Sequence, residues 1–402
     1  MKVKIEPCTP CGTVKAPPSK SEAHRAIICA ALANGESVIS NIAFSDDISA
    51  TVGCAVSSGC DIKTEDGKIT VSGTGGNIGA LSVLNCRESG STLRFMLPLC
   101  LLSEKETALT GSERLFERPL GVYEKICRKQ DIPFIKERNS VTVGGKLHSG
   151  EFEVSGNVSS QFISGLMLAL PLTEGDSVIK IIPPFESRPY VFLTAKIMDN
   201  FGVKAVFEDE YTVRIQGGQH YRPCGFAVGG DWSNAAYLYA FDGVKVHGVD
   251  ESSVQGDRVC REYFKRLKSG FCTLELSDCP DLAPIMFAYA AAHDGGRFTG
   301  TDRLRFKESD RISCMKEELS KLGVMLSAEE NTVTVTSGTL RVPDGELYGH
   351  NDHRIVMALS YLLTFTGGII DGAQAVSKSF PDYFEVIKQA GISVTSEQEK
   401  QL

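Results

Sequence analysis

Ser19-Lys20-Ser21-Glu22-Ala23-His24-Arg25-Ala26-Ile27-Ile28-Cys29-Ala30-Ala31-Leu32-Ala33-Asn34-Gly35 is the stretch from which the chain reads outward. Pro17-Pro18 stops whatever precedes it. Ser19 with Glu22 three residues on makes a capping box, so a helix is expected to start here and to end at Asn34-Gly35. Residues 26–33 are apolar on every side, which predicts a buried helix. Lys20 and Arg25 run against the local electrostatics. The first turns of a helix already carry partial positive charge, and a cation there is disfavoured by roughly 0.3–1 kcal/mol. Unpaired N–H groups, a hydroxyl and two cations at one end make a seat for an anion, most naturally a phosphate. The same residues also suit a capped surface helix whose cations face water.

This helix opens a unit that recurs along the chain. A strand over 38–42, a helix from Asp46-Asp47 to Ser58, and a hairpin of 60–64 and 68–71 turning at Asp66-Gly67 complete the first copy. The second has a helix over 91–102, a strand over 107–110, a helix over 120–129 and a hairpin of 134–136 and 141–143. The third has 161–172, 177–182, 190–201 and a hairpin over 204–215. The fourth starts at Ser233, with a strand over 244–246, a helix over 259–267 and a blurred hairpin. The fifth starts at Asp281, with 297–299, a helix over 309–322 and a hairpin turning at Glu330-Asn331. The sixth starts at His353, with 368–371, a helix over 381–389 and 392–395. The chain therefore reads as six copies of helix–strand–helix–strand–strand, roughly 50–70 residues apart. Two helices against three strands favour α/β layers.

The starts of the apolar helices carry more than caps. Ser, Thr, Asp and Asn there are explained as N-caps, but Lys20, Arg25, Arg94 and Arg354 are not capping residues. Arg118-Pro119 and Arg188-Pro189 each put a cation just before a proline expected to start a helix. Lys307 and Arg311 stand at i and i+4, where like charges repel by roughly 0.2–0.5 kcal/mol unless neutralised; Glu308 and Asp310 are local candidates for that. Helix starts gathered on one face would call for an anionic ligand.

Composition bounds the rest. At 402 residues, two domains are expected. A hydrophobic share of 42% and a charged share of 23% are those of an ordinary globular protein. A net charge of −8 argues against a nucleic-acid partner. No apolar run is long enough to span a membrane, and Met1-Lys2-Val3-Lys4-Ile5-Glu6 lacks the apolar core of a signal peptide, so a cytoplasmic location is expected. Thirteen scattered cysteines suit a reducing compartment. Cys8-Thr9-Pro10-Cys11 lacks the second ligand pair of a zinc site, so no metal is expected.

Taken in order, Ser19-Lys20-Ser21 with Arg25, Gly90 to Arg94, Glu117-Arg118-Pro119, Ser159-Ser160-Gln161, Pro280-Asp281, Lys307-Glu308-Ser309-Asp310-Arg311, Asn351-Asp352-His353-Arg354 and Lys378-Ser379-Phe380-Pro381-Asp382-Tyr383 resemble the EPSP synthase (3-phosphoshikimate 1-carboxyvinyltransferase) family of enolpyruvyl transferases over essentially the whole chain. The resemblance implies an α/β fold of two similar domains, each of three βαβαββ-type repeats with buried parallel helices, an inside-out α/β barrel. It places one domain at 14–227 and the other at 1–13 plus 228–402, with a site that draws on both. It implies transfer of the enolpyruvyl group of phosphoenolpyruvate to the 5-hydroxyl of shikimate 3-phosphate with release of phosphate, a step of the shikimate pathway towards chorismate and aromatic amino acids. It implies no cofactor, small-molecule substrates as the only partners, and a monomer.

Carried onto this sequence, the resemblance assigns shikimate 3-phosphate to Lys20, Ser21, Arg25, Ser159, Ser160, Gln161, Ser187, Tyr190, Asp281 and Lys307. It assigns phosphoenolpyruvate to Lys20, Gly90, Arg118, Gln161, Arg311, Arg354 and Lys378. Asp281 is the expected base at the 5-hydroxyl, and Glu308 and Lys20 are both candidates for the proton exchanged at the methylene carbon. Three positions depart from the family pattern: Glu88 where Asn is common, Phe95 where Pro is common, and Arg303 where Asn is expected. The sister transferase acting on UDP-N-acetylglucosamine shares the repeat, but its pattern has Lys-Asn in place of Lys20-Ser21 and a reactive cysteine on a loop. No Cys stands between Glu106 and Gly121 here. A non-catalytic phosphate-metabolite binding protein would need the cations but neither Asp281 nor Glu308.

Overall fold

The computed structural model describes residues 1–77 and 83–396. The chain divides into two compact units, Pro18–Gly229 and Met1–Pro17 joined to the chain from Gly230 onward.

The Pro18–Gly229 unit holds three four-stranded sheets of one design. In the third copy a leading strand, Glu151–Ser155, lies parallel to Ser177–Ile182, and the hairpin strands Thr212–Ile215 and Val206–Phe207 come next, antiparallel. Val83–Asn85, Thr107–Thr110, Ser140–Val143 and Phe134–Lys136 repeat that order. In the first copy the leading strand comes from the far end of the unit: Gly225–Ala227 lies parallel to Asn34–Ser40, followed by Lys68–Thr74 and Asp61–Glu65. Parallel neighbours cannot be joined by a tight turn, so in the second and third copies the pair is joined through a crossover helix, and in the first copy the matching helix leads directly into Asn34–Ser40. These helices, Lys20–Leu32, Gly90–Cys100 and Ser160–Ala169, are buried along nearly their whole length and fill the core of the unit.

The other unit repeats the design with Thr273–Glu275, Gly295–Thr299, Thr332–Thr336 and Leu326–Glu329. Its last sheet runs Leu347–Tyr348, Gly368–Asp371, Val3–Ile5 and Val394–Ser396, so the first strand of the chain supplies the inner hairpin strand of the sixth copy. The fourth copy has two strands, Gly12–Lys15 parallel to Val244–His247. Its blurred hairpin does not form among the described residues. The helix Cys260–Lys268 gives way almost at once to Thr273–Glu275, which already leads the next sheet. The helices Trp232–Tyr239, Ala283–Ala292 and His353–Thr366 fill this core.

Two strands explain where the units part. Gly12–Lys15 precedes the first buried helix yet pairs with Val244–His247, so residues 14–17 fall with the second unit instead of the first. Gly229 is tied back to the first helix: its carbonyl accepts from Ser19 N at 2.7 Å and its N–H donates to Glu22 Oε2 at 2.8 Å. The capping box is therefore half of what the sequence suggests. Ser19 Oγ does accept from Glu22 N at 3.3 Å, but the Glu22 carboxylate serves Gly229.

Smaller expectations also shift. Asn34-Gly35 starts a strand directly after the cap at Ala33. Pro119 precedes the helix Gly121–Lys129 by two residues, and a short helix, Glu113–Glu117, comes before it. Pro189 does lie in the first turn of Arg188–Asn200. Lys307 caps the 3-10 segment Asp302–Phe306 while Arg311 starts the helix Arg311–Lys321, so the two do not share a helical face. No helix of the described residues is long and apolar enough to cross a membrane.

Candidate active site

In the Pro18–Gly229 unit the starts of the three buried helices are bonded to one another. Gln161 Nε2 donates to Ser91 Oγ at 3.0 Å, and Arg94 Nη1 donates to Gln161 Oε1 at 3.1 Å and to Gly90 O at 3.4 Å. A buried chain of hydroxyls continues the link: His24 Nδ1, Thr51, Thr92 and Ser89 succeed one another at 2.7 Å each. Neighbouring N-termini bring their partial positive charges together.

On this face the expected site residues take distinct roles. Lys20 opens its helix and pairs with Asp47 at 2.8 Å. In the sequence Asp47 is legible only as part of a helix start. Arg25 is buried and turns inward, donating to Thr194 Oγ1 (2.7 Å), Ser21 O (2.7 Å), Tyr190 O (3.2 Å) and Ser164 Oγ (3.4 Å). Its guanidinium also stacks 4.9 Å from the centroid of Phe95, the residue standing where the family often has Pro. Burial pushes Arg25 down to about 10, with Tyr190 and Cys29 opposing. Ser159 caps its helix through Gln161 N at 3.3 Å, and Ser160 is the buried residue next to it. Ser187 is held at φ +56°, a left-handed conformation uncommon for a non-glycine residue, with half-buried Tyr190 one turn later. Arg94, one of the surplus cations, turns its Nη1 and Nη2 donors to neutral oxygens, including Pro119 O at 3.1 Å, and lies over the Phe162 ring.

Arg118 is the exception. It is 8% exposed, its Nε has no hydrogen-bond partner, and no carboxylate pairs with it among the described residues. Its guanidinium rests at the first residue of the second buried helix: a Cβ built on Gly90 would stand 2.5 Å from Arg118 Nη1. An unanswered buried cation beside a helix N-terminus is doubly unfavourable, unless an anion belongs there.

In the other unit a charge network is centred on Arg311, whose side chain is 1% exposed. Its Nη1 bonds Asp281 Oδ1 at 2.8 Å, its Nη2 bonds Glu308 Oε2 at 2.8 Å, and its Nε bonds Asp352 Oδ2 at 2.9 Å. Asp281 also meets Lys307 at 3.3 Å and Arg354 at 3.5 Å. Burial alone would raise the Asp281 carboxyl, but Lys307, Arg354 and Arg311 together hold it well below the usual range. Lys307 is lowered, by burial first, with Arg311 and Arg303 adding to it against Asp281. Arg354 donates to Asn234 Oδ1 at 3.0 Å and faces the Tyr237 ring. Lys378 Nζ donates to Asn351 O at 2.6 Å. Arg303, the third departure, donates to Ser277 O at 2.7 Å. The neutralisation expected from Asp310 comes from Asp281 and Asp352 instead, because Asp310 is occupied as the N-cap of Ile312 and Ser313.

A family model described as EPSP synthase (3-phosphoshikimate 1-carboxyvinyltransferase) matches residues 8–275 and 263–387. The chain belongs to the EPSP synthase family. A 3-phosphoshikimate 1-carboxyvinyltransferase of Clostridium perfringens (strain ATCC 13124) is 38% identical, over 97% of this chain and 98% of the relative. One of Clostridioides difficile (strain 630) is 35% identical over 97% of each. An EPSP synthase structure from Acinetobacter baumannii superposes with a TM-score of 0.78 at 22% identity, over 98% of this chain and 100% of that one, which places the fold with the EPSP synthases.

Within that family frame, the residues that sequence reasoning misses are partners. Asp47, Asn234 and Asp352 each hold one of the expected cations. Asp352 stands in the motif Asn351-Asp352-His353-Arg354 but reads as a cap, which it also is, accepting from Arg354 N at 2.9 Å. Asp47 has only the doubled acid Asp46-Asp47 as its signal.

Proposed function

We propose that the chain transfers the enolpyruvyl group of phosphoenolpyruvate to the 5-hydroxyl of shikimate 3-phosphate, with inorganic phosphate leaving. Family membership sets the reaction, and the observation that carries it to these residues is Arg118, a buried cation with no carboxylate partner among the described residues, set against Gly90 at a helix start. In this reading Arg118 and the Gly90 backbone take the phosphate of phosphoenolpyruvate, with Lys20 and Gln161 beside them. Ser159, Ser160, Ser187, Tyr190, Ser21 and Arg25 attend shikimate 3-phosphate. Lys307 and Asp281 are also assigned to shikimate 3-phosphate, and Arg311, Arg354 and Lys378 to phosphoenolpyruvate.

The chemistry needs a proton taken from the 5-hydroxyl and one delivered to the methylene carbon, followed by loss of a proton from the resulting methyl group as phosphate departs. Asp281 is the base in this reading. Held by three cations, it is a weak base on its own. Anionic substrates that engage Lys307, Arg311 and Arg354 loosen that hold and strengthen Asp281 as a proton acceptor. Glu308, bonded to Arg311 at 2.8 Å, and Lys20 remain the two candidates at the methylene carbon. Fixed cations and helix starts supply preorganised stabilisation for the charge that builds on phosphate and carboxylate.

Phosphate release tests the reading. It should require phosphoenolpyruvate together with shikimate 3-phosphate. Release with UDP-N-acetylglucosamine in place of shikimate 3-phosphate would assign the chain to the sister reaction, and release with neither acceptor would leave a binding protein.

A further inference from the structure

Two rungs join the first buried helix to its neighbour. Lys20 and His24 stand one turn apart on Lys20–Leu32, and Asp47 and Thr51 stand one turn apart on Asp46–Ser57. Lys20 pairs with Asp47 at 2.8 Å, and one turn along, His24 Nδ1 meets Thr51 Oγ1 at 2.7 Å. The second rung continues into a third helix. Thr51 Oγ1 meets Thr92 Oγ1 at 2.7 Å, and Thr92 is bonded in turn to Ser89, the cap of Gly90–Cys100. His24, Thr51, Thr92 and Ser89 are all fully buried.

The protons of this chain run one way. A hydroxyl has a single proton to give. Thr92 donates its own to Ser89 Oγ at 2.7 Å, so towards Thr51 it accepts. Thr51 therefore donates to Thr92, and towards His24 it accepts. The donor at the head of the chain is then Nδ1–H of His24. The other ring nitrogen agrees. Nε2 is buried with no hydrogen-bond partner among the described residues, which a bare nitrogen tolerates better than an orphaned N–H. Burial, then Lys20 and Arg25, hold His24 well below the ordinary 6.5, so the ring is neutral.

The chain closes a triangle. Gln161 ties the third buried helix to the second through Ser91, and Arg25 ties the first to the third through Ser164 at 3.4 Å. Thr51 is the junction that ties the first to the second, the two helices that open with Lys20 and Gly90. We propose that His24 and Thr51 are positioning residues for phosphoenolpyruvate: a neutral His24 heads a one-way hydrogen-bond chain through Thr51 and Thr92 to Ser89, and this chain sets Lys20 against the Gly90 backbone. The effect on catalysis rests on the enolpyruvyl transfer proposed above; the direction of the chain does not.

Two measurements test this. The first is nitrogen NMR of native protein labelled at its seven histidines, with the His24 signals identified by their absence from His24→Asn or His24→Gln. His24 should show a protonated Nδ1 and a bare Nε2, and should stay neutral at about pH 6. A ring protonated at Nε2 alone, or one that titrates like an ordinary imidazole, overturns the chain. The second is steady-state phosphate release by Thr51→Val, which keeps the shape and removes the hydroxyl, and by Thr51→Ser, which restores it. Thr51→Val should raise the KM for phosphoenolpyruvate by about tenfold, since displacing a binding group by about 1 Å is enough for such a loss. Its affinity for shikimate 3-phosphate alone should stay within about twofold of native. Thr51→Ser should return the KM for phosphoenolpyruvate towards the native value. A Thr51→Val protein that melts earlier with both values unchanged, or one that loses both substrates equally, overturns the positioning role. If Thr51→Val does not fold, the tautomer of the native protein still decides. A native protein that never releases phosphate would remove the enolpyruvyl transfer reading and the positioning with it, while the NMR result would still stand for the chain.

Discussion

The guanidinium of Arg118 lies against the backbone of Gly90, so close that a Cβ at that glycine would come within 2.5 Å of Nη1 and 2.8 Å of Cζ. The glycine and the arginine explain each other. A side chain at the helix start would push the cation away, and without the cation the space would need no glycine. Both leave positive charge facing one spot.

Gly90→Ala should therefore act through Arg118. The obstructing group is the end of a flexible side chain, so the guanidinium moves aside and the fold survives. The thermal midpoint should change little, while the KM for phosphoenolpyruvate rises several-fold and that for shikimate 3-phosphate stays near its original value. Steady-state phosphate release with each substrate varied in turn checks this. A large loss of stability with unchanged KM values would mean the contact is only packing.

Asp281→Asn should lower kcat by roughly 10²–10⁴ while keeping shikimate 3-phosphate affinity within about an order of magnitude. Because three cations hold the native carboxyl down, the acid limb of kcat/KM that belongs to Asp281 should lie below the ordinary carboxylate range of about 4. An unchanged kcat would return Asp281 to a purely structural role in the Arg311 network.

His350, whose Nε2 bonds the buried Glu318 carboxylate at 2.8 Å, makes stability depend on pH in a stated direction. Its pKa rises from 6.5 to about 9 on folding, so its contribution is full below about 6.5 and is lost as pH climbs through 9. Urea midpoints of native protein and His350→Asn should differ at pH 6 and converge near pH 10. A gap of the same size at both ends would mean that the imidazole is not charged in the fold.

Much of the fold is legible in the sequence because the repeat is written in local signals. Caps at Ser19, Ser89, Ser159, Asp231 and Asp352 start apolar helices, and turns such as Asp66-Gly67 close hairpins. The leading strands are not legible. Val83–Asn85 and Thr273–Glu275 are three residues long, and Gly225–Ala227 pairs with a strand almost the whole unit away in sequence. The cations at the site are visible as residues out of place at helix starts. Their partners are not, because Asp47, Asn234 and Asp352 stand where helix caps and first turns already want such residues. Only distances separate Arg311, enclosed by three carboxylates, from Arg118, which has none among the described residues.

Arg118→Ala gives the most direct measurement. The phosphate-release assay is run on native enzyme and variant with phosphoenolpyruvate varied at saturating shikimate 3-phosphate, then the reverse. If the buried cation is there for phosphoenolpyruvate, its KM should rise tenfold or more, as expected for a charge-assisted bond of roughly 1.5–3 kcal/mol. The KM for shikimate 3-phosphate should move far less, and the variant, relieved of an unpaired charge, should melt no earlier than the native protein. Equal losses for both substrates, or a variant that melts well below the native protein, would contradict the assignment.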